Sequence, residues 1–285
     1  MSGPTHRPAT VSLPGDRTVA YTDYGSADGT PVLFLHGTPG SRRLAELFDT
    51  VAESHGIRLL ALDRPGYGHS SPWPERTVRD TARIVSPVLD DAGIDTAGVI
   101  AFSGGAPYAF ASAATHPDRI DRLDVVAGAT PPHVVDAHPP VQRLLGRMAT
   151  TTPRLLRAAF RVNAWLARHR DPSFVVGQYT TGDAADAVPG HAAEIVRADF
   201  LEAFATHRSG AVTEFRHAAS DWTVAFDDID SRVRLWHGTD DTNVPLSGAR
   251  RLESEFRNAE LRVRSGADHL QTLLRSAPDI LAGYP

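Results

Sequence analysis

The chain has 285 residues, a formal net charge of −5, and 41% hydrophobic against 22% charged residues. Such values fit a globular protein with its own core, and the acidic balance argues against a general nucleic-acid binder. Cysteine is absent and all 29 basic residues are arginine, which excludes disulfides, thiolate catalysis, cysteine-bearing metal sites, and Schiff-base or Ser–Lys chemistry.

The opening "MSGPTHRPAT" has no apolar run of the kind a secretory signal needs. Residues 1–9 are expected to be disordered. Thr18–Tyr24, Val32–Leu35 and Arg58–Leu62 then read as strands, followed by Ala97–Phe102, Leu123–Ala127, Val233–Trp236 and Leu261–Arg264. Helical periodicity occupies Arg42–Glu53, Val78–Asp91, Pro107–Thr115 and Gly248–Phe256. Nearly continuous apolar strands alternating with helices predict a doubly wound α/β fold. Its sheet is mainly parallel, with the first strands antiparallel at an edge.

From about 131 to 230 that rhythm stops. Helical stretches are expected near Val141–Met148, Pro153–His169, Ala192–Thr206 and Val212–Val224, and no strand is. The interval is too long for a loop without structure of its own. It reads as a helical cap, residues 131–230, inserted into a core formed by 10–130 and 231–285. No stretch has the length and apolarity of a bilayer span. A cytoplasmic protein without membrane contact is therefore expected, with its oligomeric state open.

Between Asp136 and Asp171 lie seven arginines and no acid. Arg154, Arg157, Arg161 and Arg168 recur at helical spacing, opposite Leu155, Ala159, Val162 and Leu166, which predicts a basic amphipathic helix with that apolar face packed inward. Its arginines suit a solvated face, or recognition of an anionic substrate, an acidic surface or a membrane.

The chemistry concentrates elsewhere. In "AFSGG" (Ala101–Gly105), Ser103 stands at the carboxyl end of a predicted parallel strand, where ligand chemistry collects. A serine on a tight strand-to-helix turn needs small residues two positions away on either side, and Ala101 and Gly105 meet that need. This segment resembles the nucleophile elbow G-x-S-x-G of the α/β-hydrolase superfamily, with Ala101 in place of the first glycine. "FLHGTPGS" (Phe34–Ser41) is similar to the family's oxyanion loop, and "LDRPGYGHS" (Leu62–Ser70) to the turn after its next strand. In that turn Asp63, Arg64 and His69 read as scaffold, and His36 as a packing residue of the oxyanion loop.

The resemblance implies a Ser-His-Asp hydrolase. Thr38 and Gly104 would supply the backbone N–H groups of the oxyanion hole. "RSGADHL" places His269 in the loop where the family carries its base, and Asp268 reads as a loop residue. "LWHGTDDTNVPL", counted from Gly238 to Val244 and Pro245, places the carboxylate at Asp241, with Asp240 as runner-up. The chain order Ser103, Asp241, His269 is that of the superfamily.

The implied protein is an enzyme cleaving a carboxylic ester or related acyl bond of a small-molecule substrate through an acyl-enzyme, with no cofactor and no metal. Ser103 argues against epoxide hydrolases and haloalkane dehalogenases, which use an aspartate nucleophile. Lactonases, thioesterases, C–C bond hydrolases, cofactor-free haloperoxidase-like enzymes and proline iminopeptidases share the implied chemistry. A ligand-binding or sensing protein with slow or absent turnover is the alternative of a different class.

Overall fold

The computed structural model describes residues 7–135 and 139–285. Its strands are β1 (Ala9–Leu13), β2 (Arg17–Gly25), β3 (Thr30–Leu35), β4 (Ile57–Leu62), β5 (Ala97–Phe102), β6 (Ile120–Val126), β7 (Arg232–Gly238) and β8 (Ala259–Arg264). They form one sheet in the order β1-β2-β4-β3-β5-β6-β7-β8. β2 runs antiparallel to both β1 and β4, and every other neighbouring pair is parallel.

Around the sheet lie α1 (Asp49–Ser54), α2 (Ala82–Asp91), α3 (Ala106–Thr115), α9 (Leu246–Glu253) and α10 (His269–Leu281). Between β6 and β7, helices succeed one another: α4 (Pro140–Thr151), α5 (Pro153–His169), α6 (Ser173–Val176), α7 (Gly190–Ala203) and α8 (Ser209–Ala218). No strand interrupts them among the described residues.

Both faces of the central strands are apolar because both are covered. Val32, Phe34, Ile100 and Phe102 point into one core cluster with residues of α1, α10 and the helices between β6 and β7. Leu33, Leu35, Val99 and Ala101 point into the other, with residues of α2, α3 and α9. This is why the strands read as continuous hydrophobic runs rather than alternating ones. β3 pairs with β4 on one side and β5 on the other, and the chain leaves β3 and β5 toward opposite edges. A crevice opens where such connections diverge, at the carboxyl ends of those two strands.

Several expectations need correction. The N-terminal strand β1 is not among the strands expected from the sequence. It starts at Ala9, inside the segment expected to be disordered, and pairs with β2 from Ala9↔Tyr21 onward. Residues 1–6, with Asp136 and His138, lie outside the described residues. The last α-helix before β7 spans Ser209–Ala218 instead of Val212–Val224. The apolar face expected on α5 also turns outward, with Leu155 and Val162 being 59% and 56% exposed. The buried stripe is Leu156, Phe160 and Ala167, and Phe160 stacks on Phe204 and Phe215 at 5.3 and 5.9 Å. The helix is apolar over more of its circumference than one face needs, so its partners choose which stripe is buried.

Candidate active site

β5 ends at Phe102 and α3 starts at Ala106, so Ser103–Gly105 must turn the chain at once. Ser103 has φ +52, a left-handed conformation unusual for a non-glycine residue and costing on the order of 1–3 kcal/mol. The turn is possible only with small neighbours. A Cβ on Gly105 would sit 2.5 Å from the Leu35 carbonyl oxygen and 2.9 Å from that of His36. A Cβ on Gly104 would strike the Thr38 side chain, 2.2 Å from Oγ1. The elbow and the loop after β3 are therefore in direct contact.

The Ser103 hydroxyl lies 2.9 Å from His269 Nε2, and His269 Nδ1 lies 2.7 Å from Asp241 Oδ2. His269 is not in a loop but is the first residue of α10. Asp268 is the helix N-cap, its carboxylate accepting the Gln271 N–H, so it orients the helix that carries the imidazole. Asp241 receives the N–H groups of Asn243 and Val244 on its other oxygen, at 2.9 and 2.8 Å. Burial raises its pKa, but the His269 imidazole outweighs this and holds the carboxyl below its ordinary range. With Asp241 accepting, Nδ1 carries the proton and Nε2 is free to accept from Ser103. Asp240 instead accepts from Thr239 in an exposed turn.

His237 is a neighbour absent from the residues expected at this site. It donates to the Val244 carbonyl at 2.7 Å and lies 3.5 Å from Asp241 Oδ2. Burial lowers its pKa, keeping it neutral. Its only sequence signal is its place in "LWHG", four residues before Asp241.

The family model for the alpha/beta hydrolase fold matches residues 30–275. The chain belongs to that family. A non-heme chloroperoxidase of Streptomyces lividans is 27% identical over 278 residues, covering 95% of this chain and 96% of that protein. A putative non-heme haloperoxidase of Mycobacterium phage D29 is 36% identical over 104 residues, 35% of this chain and 37% of the phage protein. An alpha/beta hydrolase fold protein from Nakamurella multipartita shares the architecture at TM-score 0.68 and 23% identity, over 97% of this chain and 99% of that one.

In this α/β-hydrolase, Thr38, Ser103 and Gly104 line one cavity of about 480 Å³. The Thr38 N–H donates to no group among the described residues. The loop that carries it is held from below. His36 donates from Nδ1 to the Gly37 carbonyl and accepts the Arg64 N–H at Nε2. Burial, with Arg64 beside it, puts its pKa well below the ordinary value, as a neutral ring requires.

Arg64 does more than shape its turn. Its guanidinium donates to the carbonyls of His36 and Gly37, to Thr38 Oγ1 at 3.3 Å, and through two nitrogens to Glu214 at 2.7 Å each. Glu214, on α8, also accepts from Thr38 Oγ1 at 2.6 Å, Arg76 at 2.8 Å and Tyr67 at 3.0 Å. Burial raises the Glu214 pKa, yet Arg64 and Arg76 outweigh it and hold the carboxyl at about 2. Asp63 fits its scaffold reading: it accepts the Arg42 and His69 backbone N–H groups and the Arg42 guanidinium. His69 lies 3.0 Å from Glu202 on α7.

The cavity is walled by Pro107, Ala129, Phe215 and Trp222, with Arg143 and Arg147 of α4 among its lining. Arg154, Arg157 and Arg161 do not reach it. Among the described residues no group of three His, Asp or Glu could hold a metal ion, and no helix is long and apolar enough to cross a membrane.

Proposed function

We propose that this α/β-hydrolase is a serine hydrolase cleaving a carboxylic ester or related acyl bond through an acyl-enzyme intermediate. The observation that carries this reading is the unbroken hydrogen-bonded path from Ser103 Oγ through His269 to Asp241, opening on the cavity beside Thr38 and Gly104. His269 Nε2 takes the hydroxyl proton as Oγ attacks the acyl carbon. Asp241 stabilises the imidazolium that forms. The negative oxygen of the tetrahedral intermediate receives the N–H groups of Thr38 and Gly104, a kind of contact worth on the order of 10²–10³ in rate per donor. The imidazolium then gives its proton to the leaving alkoxide. Water, deprotonated by the same nitrogen, attacks the acyl-enzyme and releases the acid and free Ser103.

Residues 131–230 act in this reading as a cap over the carboxyl ends of the strands, with α4 and α8 supplying the cavity's outer wall. A space of about 480 Å³ walled by apolar side chains suits a small to medium acyl group. Arg143 and Arg147 have no ion-pair partner among the described residues and favour esters that also carry a carboxylate.

The test combines a fluorophosphonate label with chromogenic esters of rising acyl length, neutral and carboxylate-bearing. Expected are labelling at Ser103 and a loss of about 10⁶ in turnover for Ser103→Ala with the melting temperature kept. Near wild-type turnover by that variant, or no labelling of the native protein, would refute the reading.

A further inference from the structure

α5 packs against α8, and a second hollow of about 410 Å³ lies there, sharing no lining residue with the Ser103 cavity. Arg154, Arg157 and Arg161 of α5 form one wall, and His207, Arg208 and Ser209 form the other. Offsets of three and four residues stack the α5 guanidinium groups on a single helix face. No acidic residue lines the groove, and none of its four arginines has an ion-pair partner among the described residues.

Two polar atoms complete the picture. Arg208 Nε and Ser209 Oγ are buried without any hydrogen-bond partner. Among the described residues Trp222 Nε1, in the wall of the Ser103 cavity, is the one other buried side-chain polar atom left so, whereas the cluster around Glu214 is satisfied. Buried donors left unpaired are costly, and four like charges gathered without a counter-charge repel one another. One oxyanion seated between α5 and α8 relieves that repulsion.

We propose that this groove binds a phosphate group. Several guanidinium forks together with a hydroxyl offer more donors than a single carboxylate can accept, whereas a phosphate, with its full set of oxygens and higher charge, matches them. The phosphate belongs either to a free small molecule or to a lipid headgroup. Leu155, Val162 and Trp165 are exposed on the same helix, and such residues beside arginines suit a lipid surface.

The experiment titrates the full chain with inorganic pyrophosphate by calorimetry. In parallel, flotation is measured with phosphatidylglycerol and phosphatidylcholine vesicles. Each measurement is repeated with Arg157→Ala/Arg161→Ala and with Arg143→Ala/Arg147→Ala. The expected result is one pyrophosphate per chain, weakened at least tenfold by the first pair and less than twofold by the second. Binding to phosphatidylglycerol alone, lost in the first pair only, places the phosphate on a lipid. Equal weakening by both pairs means diffuse charge attraction and overturns the proposal, as does absence of binding to either probe. The α5 arginines are exposed, so the ligand-free Arg157→Ala/Arg161→Ala variant is expected to melt with the wild type, and a fall of several degrees also counts against the proposal. Because Ser103 is untouched, failure here leaves the hydrolase reading standing.

Discussion

Glu214→Gln removes one negative charge from a site where Arg64 and Arg76 are 1% and 3% exposed. The glutamine keeps the shape and its oxygen can still accept from Thr38 and Tyr67. Its NH2 then meets the Arg64 and Arg76 N–H groups that Oε1 accepted, so the loss includes those two bonds as well as the charge. A carboxyl held at about 2 against an ordinary 4.5 makes ionised Glu214 worth roughly 3 kcal/mol to the folded state. Leaving two buried guanidinium groups without their partner costs a similar amount, about 3–5 kcal/mol. For a chain of this size that corresponds to a fall of roughly 6–10 °C in melting temperature. Because the folded pKa lies below the unfolded one, this stabilisation is complete above about pH 4.5 and is lost as the pH falls toward 2. The gap between wild type and variant in urea denaturation is therefore expected to be constant from pH 8 to 5 and to shrink below pH 4.5. Thr38 loses its charged anchor at the same time, so kcat for a short ester should fall about ten- to a hundredfold. A destabilisation under about 1 kcal/mol, or a gap that widens in acid, would refute the reasoning. An unchanged kcat would separate the cluster from the placement of Thr38.

Two further outcomes test neighbouring parts of the site. Burial raises Asp199 on α7 to about 7 while its Oδ1 accepts the Ser41 N–H and hydroxyl. The raised folded pKa means that stability is full below about 3.8 and falls as the pH rises through about 7. Asp199→Asn, which can accept the same bonds without charge, should be more stable than wild type at pH 8 and equal to it near pH 4 by thermal denaturation. Gly105→Ala would drive a methyl group to 2.5 Å from the Leu35 carbonyl. The strand end must then yield, with about 1–3 kcal/mol lost in denaturant unfolding and a parallel fall in ester turnover.

Local chemistry settles much of this protein in advance. The strand that leads into Ser103 is bounded correctly from sequence because it is a short apolar run closed by a turn. The glycines after it answer instead to Thr38 and to the Leu35 and His36 carbonyls, brought there from the end of β3 and the loop after it. The resemblance of "LWHGTDDTNVPL" to a family segment favours Asp241 with Asp240 as runner-up, and the structure brings Asp241 to the imidazole while Asp240 faces a turn. Beyond the reach of the sequence lie choices made by distant partners. β1 is legible only through its pairing with β2, since its own pattern is short and half exposed. The face of α5 that packs is decided by Phe204 and Phe215, more than forty residues away. Arg64 looks like turn scaffold because its acceptor, Glu214, comes 150 residues later on another helix. Periodicity acts along the chain and can be read there. Burial of charge is settled by whatever arrives on the other side, and only the folded structure holds that information.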